Sequence, residues 1–116
     1  MLNDIQFTIV TLDEYALNKY RGVLGDLTNF KFQRTNILQI SRADCIVSPA
    51  NSYGQMDGGV DRAISYSLDY IDQKLVQPMI QLKYRGEQPV GTCMLFPVYQ
   101  YNYKYLAHVP TMRIPK

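Results

Sequence analysis

Asn51, the paired glycines Gly58 and Gly59, and Asp61 lie in one short stretch, Ala43 to Ile64, whose residue types could handle an anionic, sugar-bearing ligand. If a helix starts at the glycines, the amides of Gly58, Gly59, Val60 and Asp61 have no partner inside it. They sit at its positive end, and no Cβ on the glycines blocks close approach, so together they form a candidate anion cradle. The Asn51 side chain offers a donor and an acceptor, which suits sugar hydroxyls, and equally suits an Asx turn. Asp61 falls in the first helical turn, where its carboxylate could orient or deprotonate a water or could simply favour the helix dipole. Asp57 reads as a loop or N-cap residue.

The elements that must position these residues follow from periodicity and punctuation. Ile5 to Val10 is a β-rich apolar run, and Leu12 to Leu24 is helical, with Ala16, Tyr20, Val23 and Leu24 at helical spacing. Thr11 and Glu14 have capping-box spacing, and Gly25 stops the helix. Phe30 to Gln33 alternates as a second strand. Cys45 to Val47 is an unbroken apolar third strand, as expected of a central parallel strand covered on both faces. Ligands of α/β sheets gather at the carboxyl ends of strands, which is where Asn51 to Gly59 emerges. A helix from Val60 carries Ile64 and Leu68. A second helical pattern, Ile71, Leu75, Met79 and Leu82, contains Pro78, which removes a backbone donor and predicts a bend or restart. Thr92 to Val98 and Lys104 to Val109 complete five strands. Strands alternating with helices give an α/β fold in one domain, 1–116.

Composition narrows the classes. With 47% hydrophobic and 19% charged residues over 116 positions, the chain is ordinary and globular. No apolar run approaches membrane-spanning length, so no membrane partner is expected. The N-terminus lacks the basic and apolar regions of a secretion signal, which predicts a cytoplasmic setting. A net charge of +2 does not supply the clustered cations that nucleic-acid binding requires. Cys45 and Cys93 read as small buried hydrophobes and His108 as a core histidine; no metal-ligand spacing and no cofactor motif is present. Tyr99, Tyr101, Tyr103 and Tyr105 alternate with polar residues and read as one face of a hairpin.

The segment Asp44-Cys45-Ile46-Val47-Ser48-Pro49-Ala50-Asn51, followed by Asp57-Gly58-Gly59-Val60-Asp61 and Ala63-Ile64, resembles the macro domain family. That family's strand reads Asp-Ala-Ile-Val-Asn-Ala-Ala-Asn, followed by a glycine-rich loop ending Gly-Gly-Val-Asp. The Ser-Pro-Ala-Asn and Met-Asp-Gly-Gly variants look like a bacterial and phage subgroup, some members of which carry tail-assembly labels. The run Leu106 to Arg113 resembles that subgroup's fifth strand and exit.

The resemblance implies a three-layer α/β fold with a central mixed sheet, and binding of ADP-ribose or an ADP-ribosylated substrate, with hydrolysis of ADP-ribosyl esters in several branches. By position, Asn51, preceded by Ala50, would bond the distal ribose. Gly58, Gly59 and Val60 would offer amides to the diphosphate, and Asp61 would position the attacking water. Asn36, followed by Ile37, stands where the family's Gly-Asp-Ile-Thr element has an aspartate that accepts from adenine. An amide there accepts without charge assistance, which should weaken the bond. Macro domains usually continue past a fifth strand, so the resemblance implies C-terminal elements missing after Lys116. Either the chain is a truncated product or the missing wall is supplied by another copy of the chain or a partner, and an interface is expected because a bare apolar surface is a liability. A different reading is a degenerate phage-type assembly module without activity.

Overall fold

The computed structural model describes residues 5–40, 42–56, 58–98 and 103–114, with the side chains of Leu38 and Asp61 outside what it describes. The chain divides into two compact units, Met1–Ile40 and Ser41–Lys116.

In the first unit, β1 (Phe7–Thr11), α1 (Glu14–Leu24) and β2 (Phe30–Arg34) follow in order, and β1 pairs with β2 in parallel. Phe7 and Phe30 face each other across the pair, with stacked rings 4.8 Å apart. The cap of α1 differs from the expected box. Asp13 is the N-cap, and its carboxylate accepts from the amides of Tyr15 and Ala16, while Thr11 Oγ1 accepts from the Asp13 amide. An aspartate at this position satisfies two orphan amides at the positive helix end, which a threonine two residues earlier cannot reach. Leu17 is the buried residue of α1, whereas Tyr20 and Val23 of the expected apolar face are exposed. A 3-10 turn, Ile37–Gln39, ends the unit.

The second unit carries β3 (Ala43–Asn51), α2 (Gly59–Ser67), a π-helical segment (Asp72–Val76), α3 (Gln77–Tyr84), β4 (Met94–Pro97) and β5 (Tyr103–Met112). Its sheet order is β3-β5-β4, parallel between β3 and β5 and antiparallel between β5 and β4, which makes it mixed. Rows of side chains cross it in register. Ile46, Leu106 and Phe96 form one row, and Ser48, His108 and Met94 the next. These residues are buried, as are Ile64, Leu68, Ile71, Val76 and Ile80 of the helical segments, so the core lies on this face.

The opposite face is open, and this corrects the expectation of a third strand covered on both sides. β3 alternates in burial, and Val47 and Leu95 are each 57% exposed. An apolar sequence does not say how many faces are covered; α2 contacts β3, while Cys45, Val47 and Pro49 of the same strand stay exposed. Cys45 and Cys93 are likewise exposed, not buried as their composition suggested. Tyr103 is buried and Tyr105 half-buried, while Tyr99 and Tyr101 lie outside the described residues.

Pro78 restarts the helix as expected, and the π segment shows how. Proline has no amide to give to the carbonyl four residues back, and the amide of Gln77 reaches five back, to Asp72. The extra residue in that turn changes which side chains face inward. Ile71 is followed by Val76 and Ile80 in the core, while Leu82 of the expected stripe is 79% exposed.

Candidate functional site

β3 and β5 run in parallel, so their carboxyl ends lie together, with Asn51 paired to Met112 just after an irregularity at Ala50/Asn51. The Ser52 amide donates to the carbonyls of Met112 (3.1 Å) and Arg113 (3.3 Å), tying the loop after β3 to the exit of β5. Asn51 itself is buried and organises that loop. Its Oδ1 accepts from the amides of Tyr53 (3.1 Å) and Gln55 (3.2 Å), and its Nδ2 donates to the Gln55 carbonyl at 2.7 Å. This is the Asx-turn role foreseen as one of its two readings, and it leaves one amide hydrogen uncommitted among the described residues.

The loop is held from below as well. Gln77 Nε2 donates to the Gly54 carbonyl at 3.0 Å, and the Gln88 amide donates to the Ser52 carbonyl at 2.8 Å. Gly54 has φ +70°, and a Cβ there would lie 2.9 Å from Ile80 Cδ1 and 3.1 Å from Val76 Cγ1. Left-handed strain and crowding add, although Ile80 Cδ1 can swing aside, so Gly54→Ala is expected to cost about 2 kcal/mol of stability. Urea denaturation of the variant against wild type measures it.

At the far end of the loop, Gly58 is the N-cap of α2 and Gly59 its first residue, with φ +54° at Gly59. A Cβ on either glycine would meet nothing within 4 Å, so the space before the helix is open. Val60 is partly exposed beside them. Asp61 is the third residue of α2, with its side chain outside the described residues, and Asp57 lies outside them altogether. Ala50, Asn51, Gly58, Gly59 and Val60 thus share one unit, joined by a short loop. Asn36 and Ile37 belong to the other unit, where the Asn36 carbonyl accepts from the Gln39 amide at 2.9 Å as the 3-10 turn begins.

Two polar clusters beside the loop have no signature in sequence spacing. In the first, Glu87 Oε1 accepts from the Tyr53 hydroxyl at 2.8 Å and from Arg113 Nε at 3.0 Å. The tyrosine bond, and then the arginine, lower the Glu87 pKa; the Tyr53 pKa rises, chiefly through the same bond. In the second, Gln88 Oε1 lies 2.7 Å from His108 Nδ1, and Gln88 Nε2 donates to the His108 carbonyl (3.2 Å) and to Thr92 Oγ1 (3.1 Å). With the glutamine amide oriented in this way, the imidazole proton belongs on Nδ1. His108 is fully buried, as expected of a core histidine, but its Nε2 has no hydrogen-bond partner among the described residues. Burial pushes its pKa down to about 4.

No group of three or more metal-ligating side chains occurs among the described residues. Among them, no helix is long and apolar enough to cross a membrane.

Comparison with known proteins places this arrangement. No curated protein matches the chain. The Oceanobacillus iheyensis macrodomain with ADP is a solved structure similar to it, at 26% identity and TM-score 0.58, covering 66% of this chain and 40% of that one. A mutant of the same macrodomain with ADPR matches at 25% identity and TM-score 0.57, over 66% of this chain and 41% of that one. The chain therefore spans about two-fifths of the length of these relatives. The family model for the macro domain matches residues 47–116, from the middle of β3 through the loop, α2 and the rest of the sheet, and the chain belongs to the macro domain family.

Proposed function

We propose that this chain binds ADP-ribose or a close derivative as a single macro-like domain over 1–116, and that it hydrolyses ADP-ribosyl esters. The observation that carries the binding reading is the open space before α2. Gly58 and Gly59 stand at the start of α2, where helix amides have no partner inside the helix, and a Cβ on either would meet nothing within 4 Å, at the end of a loop fixed by Asn51. The similar Oceanobacillus iheyensis structures hold ADP and ADPR. In this reading the amides of Gly58, Gly59 and Val60 take the diphosphate, and the uncommitted hydrogen of Asn51 Nδ2 reaches a hydroxyl of the distal ribose. The family resemblance nominates Asn36 and Ile37 for adenine on their sequence positions alone. Asp61 orients the water, and most of the acceleration comes from positioning.

The partly exposed apolar face bearing Val47 and Leu95 supports a second part of the proposal, that another copy of the chain covers it. Sedimentation of a stable monomer at high concentration would remove that part. The cytoplasmic setting and the kinship with the bacterial and phage subgroup belong to the same proposal.

Calorimetric titration with ADP-ribose tests the binding. Saturable heat and a raised melting temperature are expected. No heat and no stabilisation at millimolar ligand would favour the assembly-module reading instead.

A further inference from the structure

We infer that Glu87 is a positioning residue for the binding loop, acting through Tyr53 on Asn51. An isolated surface ion pair contributes little, and the Glu87–Arg113 pair alone would be one. What distinguishes Glu87 is that a single carboxylate oxygen joins three segments of the second unit: the loop after β3 through Tyr53, the segment after α3 that carries Glu87, and the exit of β5 through Arg113. The next residue, Gln88, adds a backbone bond to Ser52, and Ser52 bonds back to Met112 and Arg113. Tyr53 is also inside the Asx turn, because its amide is one of the two that Asn51 Oδ1 accepts. One hydrogen bond therefore separates the anchored tyrosine from the side chain whose orientation sets the loop. The tyrosine hydrogen bond, and then the arginine, favour the charged carboxylate, so Glu87 stays ionised and keeps both donors.

The consequence for ligand affinity rests on the ADP-ribose reading, whereas the consequence for Asn51 does not. Glu87→Ala and Tyr53→Phe each remove the bond to the loop, and each is expected to weaken ADP-ribose binding about fivefold. The double variant should lose no more than Glu87→Ala, since Tyr53→Phe deletes an interaction that Glu87→Ala already removes. Glu87→Gln keeps an oxygen that can accept from both donors and should restore affinity to within about twofold. A role in stability alone would lower the melting temperature without this pattern in affinity.

The Asn51 side-chain amide and the Gln55 amide provide a readout without ligand. Their NMR resonances should move in Glu87→Ala and Tyr53→Phe and return towards wild type in Glu87→Gln. Should wild type fail to bind ADP-ribose, the functional reading falls and the resonances still decide. Unmoved Asn51 and Gln55 resonances in Glu87→Ala, or wild-type affinity in that variant, overturn the inference.

Discussion

Replacing Asp61 with alanine is expected to lower hydrolysis of an ADP-ribosyl ester by about 100-fold or more, while ADP-ribose affinity stays within about twofold of wild type. The two effects separate because they draw on different atoms. In the proposed reading, diphosphate binding uses backbone amides at the start of α2, and truncating a side chain at its third residue leaves them in place. Removing a carboxylate from the same helix end also takes away a like charge from a bound anion, so affinity has no electrostatic reason to fall. In the same reading, water activation depends on the Asp61 carboxylate. The helix itself should lose about 0.5 kcal/mol from the missing acidic group in its first turn, too little to unfold the domain and confuse the assay. Single-turnover rates and titrations on both proteins provide the comparison. Equal hydrolysis by both proteins would remove Asp61 from the chemistry, and binding without turnover in either would leave a reader of ADP-ribose.

The parts of this site that are local in sequence were legible there. The glycine pair before a helix, Asn51 at a strand exit and the restart at Pro78 are each decided by backbone chemistry within a few residues, and the structure has all three. β3 proved longer than the apolar run Cys45 to Val47, because pairing with β5 carries it through Ser48 and Pro49 to Asn51. The other departures are nonlocal. Whether an apolar strand is covered on one face or two depends on where other elements pack, so the exposure of Cys45 and Val47 had no signal in their own segment. The convergence of Tyr53 and Arg113 on Glu87 spans sequence separations of 34 and 26 residues. No spacing rule reaches that far. The phase change at the π segment lies between these cases: Pro78 announces an interruption, but not that the missing donor is accommodated by a wider turn that brings Val76 and Ile80 inward.

Acidification should destabilise the protein through His108, by about 3 kcal/mol between neutral pH and pH 4. The sign follows from the two states. In the folded chain the imidazole is buried between β3 and β4 on the core face, with Nδ1 on Gln88 and Nε2 without a partner among the described residues, and its pKa is lowered from 6.5 to about 4. In the unfolded chain it titrates at its ordinary value. Above about 6.5 both states are neutral and the full stability is present; as the pH falls further, the unfolded state binds a proton that the folded state refuses until about pH 4. Folding is therefore progressively opposed across that window. Protonating Nε2 in place would bury a cation with no acceptor, the costlier alternative. Urea denaturation at several pH values from 7.5 to about 4 measures the slope. His108→Leu separates this contribution from the carboxylates. It should start less stable, because Gln88 Oε1 loses its donor, yet fall less steeply with acid than wild type. Parallel pH profiles for the two proteins would show that His108 is not the group being titrated.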